Sequence, residues 1–337
     1  MSTDLLNRLL SDPNLLIHQI DPVRDAAAIA SFSADEIRNA AFLDQRILTP
    51  TTQGAMVPWA DAKTILSTLP KQYPAIIFHI GHCGSTLISK LVEAAGGPRG
   101  LREPLPMRTF AMMRANAAER LSMWREEDAR DRFDLFLRSC AKAPSAVKAT
   151  SFCNNLMANA AAFGAAKQAF ITIKADAYIA TMLGAENNIH DLFGSIELRM
   201  RRLRVLCSSD IGDLAAMSHG EIAAAAWASE TATAAEADTA KSFDFEEFLA
   251  EPADRLFDIV DALGGAPDSG AIAQTLEGPI MRQYSKAPEH EYGADLRKTL
   301  LAEYARIAGD EISRGRLWLE TQAKQFPPIA IAIDRFG

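Results

Sequence analysis

Apolar residues are distributed along this chain in two patterns. Short, nearly continuous apolar runs stand at "AIIFHI" (75–80), "SAVKA" (145–149), "AFITIK" (169–174) and "LRVLC" (203–207), with "SFDF" (242–245) a fifth candidate. Runs of that length, bounded by polar or turn-forming residues, are the pattern of strands buried on both faces. Over 112–142, 153–168 and 176–201 the pattern instead predicts helices. The stretch "TLISKLVEAAGG" sets Leu87, Ile88, Leu91, Val92 and Ala95 on one helical face, and Gly96-Gly97 end it. Strands alternating with helices predict an α/β fold: a central, mostly parallel sheet flanked by helices.

Residues 1–72 read differently. Pro13, Pro22, Pro50, Pro58 and Pro70 break the chain into short pieces, and "DPVRDAAAIASFSADEIRNAAFL" has helical spacing with Asp21 and Ser33 as caps. A helical N-terminal extension (1–72) on an α/β domain (73–337) is therefore expected. The Ala-rich stretches "ANAAAFGAAKQA" and "IAAAAWASETATAAEADTAK" read as surface helices, since Ala is the best helix former.

Composition narrows the function classes. With 35 basic against 43 acidic residues and a net charge of −8, the chain is not expected to bind nucleic acid, whose affinity rests on phosphate neutralisation. Cys83, Cys140, Cys153 and Cys207 show no CxxC spacing, which fits a reducing compartment. The start "MSTDLLNRLLSDPNLL" has no long apolar core, and no run reaches membrane-spanning length, so a cytoplasmic protein without a membrane span is expected.

The chemistry concentrates in "FHIGHCGSTLISK" (78–90). A buried strand, a Gly-containing turn and a helix make an anion site, because the first helical turn leaves N–H groups unpaired and the macrodipole favours negative charge. Gly81 and Gly84 permit a tight turn and close approach, and the Ser85 and Thr86 hydroxyls either cap the helix or also contact an anion. An ATP- or GTP-binding loop would end in Gly-Lys-Ser/Thr, and Lys90 falls about one turn too late for that. Cys83 at a helix N-terminus would have a depressed thiol pKa, but a Cys-phosphatase loop would also need a terminal Arg. His79, His82 and Cys83 lack a second ligand pair at zinc spacing, so no metal is expected.

The loop Gly81-His82-Cys83-Gly84-Ser85-Thr86, followed by Glu103-Pro104 in "LREP", resembles the sulfotransferase family, whose P-loop-like fold binds 3′-phosphoadenosine-5′-phosphosulfate (PAPS). That family's loop reads Gly-[Lys/Arg]-[Ser/Ala]-Gly-[Thr/Ser]-[Thr/Ser]. "VKATSF" (147–152), "FITIKADAYIATML" (170–183) and "FDFEEFLAEPADRLFDIVDALGG" (243–265) resemble later family segments, so the likeness spans roughly 73–318 in order. Departures are His82 for Lys or Arg, Lys174 for Arg, Ala177 for Pro and Thr181 for Ser. Lys keeps a point charge for phosphate but loses the bidentate fork.

The resemblance implies roles. Gly81 to Leu87 would hold the 5′-phosphosulfate, and Lys174 and Thr181 the 3′-phosphate. Glu103 would be the general base, Lys148 would reach the transferred group, and a protonated His82 would donate to the sulfate, with activity declining above neutrality. Each residue also has a plainer reading: Glu103 in a salt bridge with Arg99, Arg102 or Arg108, His82 as a neutral loop residue, Lys148 and Lys174 as strand-end lysines. "MRQYSK" (281–286) would close over the nucleotide through Arg282, Tyr284, Ser285 and Lys286. Two other functions stay open: an ATP-dependent kinase-like transferase with Asp176 or Asp210 holding magnesium, and a degenerate nucleotide-binding interaction module. The acceptor, a lipid, sugar, peptide or small alcohol, and the oligomeric state are not specified by the sequence.

Overall fold

The computed structural model describes residues 2–337 other than Glu119, Ala166 and Lys286. The sequence pattern predicts a helical N-terminal extension over residues 1–72, but that region contains a three-stranded sheet. Strands β1 (Leu15–Asp21), β2 (Ala26–Ser31) and β3 (Gln53–Pro58) form an antiparallel sheet in that order, with short helices between and around them. The run "DPVRD" is a turn: Asp21 Oδ1 accepts from the N–H groups of Val23 and Arg24, and Asp25 takes a φ of 48°. The alanines that follow are strand because β2 is the middle strand, paired on both sides, and that pairing overrides Ala's helix propensity. Ser33 does cap a helix, Ala34–Asn39, through a capping box with Glu36.

The main sheet has five strands, all parallel: β4 (Ala75–His79), β5 (Arg99–Arg102), β6 (Ser145–Lys148), β7 (Gln168–Thr172) and β8 (Lys241–Asp244), in the order β5-β6-β4-β7-β8. Every residue of β4, β6 and β7 is buried, which is why the middles of these segments read as apolar runs. From β4 the chain crosses to β5, beyond β6, whereas from β7 it goes to β8 on the opposite side. The carboxyl ends of β4 and β7 thus form a topological switch point, where open α/β sheets place ligands.

Strand β5 ("RGLR") was not foreseen, because its two arginines hide it. Arg102 is 1% exposed, paired with Glu93 and donating to the carbonyls of Ile37, Arg38 and Ala40. Arg99 donates to Asn14 Oδ1, and Lys142 to the carbonyl of Leu15, so this edge of the sheet carries the N-terminal sheet. Conversely "LRVLC" is no strand: it is the last turn of the helix Glu186–Cys207, which ends with Ser208 in a left-handed cap. Its apolar side chains continue the helical stripe through Leu203.

The Ala-rich helix His219–Ala237 is not at the surface. Trp227 and Glu230 are both 0% exposed, and the helix is buried nearly all round. Small side chains let neighbours approach closely, and at Gly220 a Cβ would overlap the backbone of Glu311. The hairpin β9 (Gln283–Tyr284) with β10 (Ala287–Glu291) and the helices Ala294–Ile307, Gly309–Ala323 and Pro327–Phe336 complete the chain. No helix among the described residues is long and apolar enough to cross a membrane.

Candidate functional site

The loop after β4 turns through left-handed conformations at Gly81 (φ 88°), His82 (φ 50°) and Gly84 (φ 69°) and enters the helix Ser85–Ala94. Both glycines are required by space as well as by φ. A Cβ on Gly84 would overlap the ring of Phe245, and one on Gly81 would lie 3.2 Å from the Ser151 Cβ. His82 has no such freedom, and a left-handed non-glycine residue costs about 1–2 kcal/mol. It is held by a contact of 3.0 Å between its Nε2 and Asp191 Oδ2 on the helix Glu186–Cys207.

His79, the last residue of β4, shapes the loop from behind. Its Nδ1 accepts from the Gly81 N–H at 3.0 Å, and its Nε2 lies 2.8 Å from the Ala149 carbonyl, so it carries its proton on Nε2. Cys83 points into the core and donates to the Ile171 carbonyl; burial pushes its thiol up, against the pull of the Lys148 charge. The reactive thiol anticipated from the helix N-terminus is thus not present. Leu87 is a core residue and would meet a ligand only through its backbone. Ser85 and Thr86 are both buried, and the Thr86 hydroxyl has no hydrogen-bond partner. The orphan stands on the first turn of the helix Ser85–Ala94, whose N-terminus favours an oxyanion, while Phe245 fills the space beside Gly84.

Glu103 and Lys148 meet at the ends of β5 and β6. Lys148 Nζ stands 2.6 Å from Glu103 Oε1, and the two residues are 0% and 6% exposed. Glu103 also has a left-handed φ of 51°, fixed by its N–H donating to the Lys148 carbonyl. Backbone strain of this kind gathers at functional sites. Arg108 approaches the second oxygen at 3.4 Å and also donates to Thr150, so the salt-bridge reading of Glu103 holds with Arg108 and Lys148. Neither Arg99 nor Arg102 takes that part.

A second cluster lies behind the loop and was missed in the sequence. Arg199, buried, donates to Glu230 Oε1 at 2.8 Å, to Ser195 and to Ser151, and its guanidinium lies about 4.0 Å from where a Gly81 Cβ would sit. Burial alone would lower this guanidinium, but the Tyr178 hydroxyl and the Glu230 carboxylate outweigh it and hold it above its ordinary value. Glu230 Oε2 takes Arg202 at 2.7 Å and Asn154 Nδ2, whose amide also donates to the His79 carbonyl. A signal was available: Arg199 and Arg202 are three apart on one helix, and Glu230 is the one acid in the middle of an alanine-rich helix whose other acids stand near its ends.

The other predicted residues stand apart. Lys174 is exposed at the N-cap of the helix Ala175–Leu183, and Thr181 is buried with its hydroxyl donating to the Ala177 carbonyl. Ser285 touches the loop helix, where its carbonyl accepts from Lys90 at 2.7 Å; Arg282 and Tyr284 make no described contact with the loop, and Lys286 lies outside the described residues. Asp176 pairs with Arg316, and Asp210 with Arg204 at 2.8 Å. Among the described residues no group of three or more His, Cys, Asp or Glu is placed to hold a metal ion. No protein-family model matches the chain, and no curated protein is significantly similar to it.

Proposed function

We propose that this protein is a sulfotransferase-like enzyme that moves a sulfuryl group from PAPS to a hydroxyl or amine acceptor. The observation that supports it most is the buried Glu103–Lys148 pair at the ends of β5 and β6, next to the strand β4 that leads into the glycine-containing loop. All of these groups lie at the carboxyl ends of neighbouring parallel strands.

In this reading Glu103 accepts the acceptor's proton while the acceptor atom attacks sulfur. The bond from sulfur to the 5′-phosphate oxygen breaks, and the charge left on that oxygen meets Lys148, His82 and the N–H groups that open the helix Ser85–Ala94. Lys148 holds the Glu103 carboxylate in place until the proton arrives, and it is then released toward the new negative charge. Lys174 receives the 3′-phosphate at the mouth of β7. Thr181 would have to give up its bond to Ala177 to join it. Cations and N–H groups neutralise the charge in this scheme. A kinase would instead draw on Asp176 and Asp210, which are engaged by arginines.

The test is Glu103→Gln. Nucleotide affinity should stay within about twofold, and transfer, read as release of the 3′,5′-bisphosphate in an acceptor screen, should fall by about a hundredfold or more, the range of general-base loss. Unchanged turnover would remove Glu103 from this role.

A further inference from the structure

From Ile80 to Ser89 the loop and the start of its helix contain no lysine or arginine, and Lys90 donates to the Ser285 carbonyl. Lys148, at the end of β6, is matched by Glu103. His82 is engaged by Asp191, and a neutral imidazole brings no charge. An anion in this loop would thus draw a permanent positive charge from beyond the loop's own side chains.

The helix Glu186–Cys207 supplies one. Arg199 is 1% exposed and lies against the buried side of Gly81. Its Nη2 donates to the Ser151 hydroxyl at 2.9 Å, and Ser151 is the residue that a Gly81 Cβ would meet first. One turn on, Arg202 stands 2.7 Å from Glu230 Oε2, while Arg199 donates to Oε1 at 2.8 Å. Two guanidiniums therefore share one carboxylate, which is itself 0% exposed. Among the described residues no other carboxylate lies within ion-pair distance of either arginine, and the nearby Tyr178 is neutral because burial pushes its hydroxyl up. Asp191 faces Arg199 from the same helix, but its side chain is 54% exposed and it pairs with His82. Solvent screens an exposed acid far more than a buried one. The interior beneath Gly81 is thus left with an excess of positive charge, which is costly in a dry environment unless an anion comes near.

On the reading that the loop holds the 5′ end of a nucleotide, we propose that Arg199 positions that end: it braces Gly81 through Ser151 and supplies, from behind the glycine, the positive charge that draws the 5′-phosphate group. A guanidinium keeps its charge at every working pH. In a low-dielectric interior its field reaches across a residue that has no side chain to interpose. Arg202 and Glu230 set the size of that charge.

Calorimetry on the full-length protein compares 3′-phosphoadenosine-5′-phosphate with adenosine 3′-phosphate, which lacks the group the loop would hold. Arg199→Met removes the excess charge and leaves the Arg202–Glu230 pair intact. It should weaken the bisphosphate about tenfold and the 3′-monophosphate by less than about twofold. Arg199→Lys keeps the charge and should hold the bisphosphate within about threefold of wild type. Arg199→Met with Glu230→Gln loses more hydrogen bonds still, yet regains the excess charge through Arg202. Its affinity for the bisphosphate should therefore return to within about threefold of wild type, the opposite of what a merely structural role predicts. Equal weakening of both ligands in Arg199→Met, or a double variant that binds the bisphosphate no better than Arg199→Met, would overturn the proposal. If wild type prefers ADP with magnesium, the sulfuryl-donor reading falls, and the same comparison of ADP with adenosine still decides the role of Arg199. Binding of none of these ligands to wild type would overturn both.

Discussion

Glu103 and Lys148 carry two burdens at once, a strained backbone and a buried ion pair. Removing one partner of such a pair leaves the other charged and unsolvated, at a cost of about 3–5 kcal/mol, whereas replacing both with neutral groups is far milder. Glu103→Gln should therefore destabilise the protein by about 3 kcal/mol, and Glu103→Gln with Lys148→Met should recover most of that loss. Urea unfolding of the four members of this cycle measures it, and a single-variant loss below about 1 kcal/mol would mean that water reaches the pair. Gly84 is the most constrained position of the loop, since φ is 69° and Phe245 occupies the space of a Cβ. Gly84→Ala should cost about 2–4 kcal/mol, combining left-handed strain with overpacking against the ring. A thermal shift of only a degree or two would contradict that.

At the scale of elements, the N-terminal sheet is joined to the α/β sheet by partly buried cations as well as by apolar contact. Lys142 donates to the Leu15 carbonyl, and burial lowers its ammonium to about 8, with Cys140 and Asp12 opposing that shift and Arg99 adding to it. An unfolded lysine titrates near about 10.4, so between about pH 8 and 10.4 the unfolded chain holds a proton that the folded chain has released. Stability contributed by this group therefore rises with pH across that window and is constant below it. Unfolding free energies of wild type minus Lys142→Met should show that rise between pH 8 and 10, and a flat difference would place the ammonium in water. The same elements mark where the sequence was legible. β4, β6 and β7 were read correctly because burial on both faces keeps their middles apolar and confines polar residues to their ends. β5 and the N-terminal strands were missed because their arginines and alanines take their structure from tertiary partners that a local pattern does not record. For the same reason, Ala-rich composition predicted the helix His219–Ala237 but not its burial.

Across the whole molecule, one continuous apolar core runs from Leu6 to Phe336 and includes both sheets. The candidate site lies at the carboxyl edge of the parallel sheet, from the ends of β5 and β6, where Glu103 and Lys148 meet, to the loop at the switch point between β4 and β7. Loop, Glu103 and Lys148 were legible because each follows a recognisable strand or motif. Arg199, Glu230 and His79 were not, because they act from behind the loop and from distant parts of the chain. The central claim is that this edge holds a nucleotide carrying a 3′-phosphate. Calorimetric titration of 3′-phosphoadenosine-5′-phosphate beside ADP, each with and without magnesium, tests it most directly. The account predicts metal-independent binding with a preference for the 3′-phosphorylated ligand. Preference for ADP with magnesium, or binding of neither nucleotide, would contradict it.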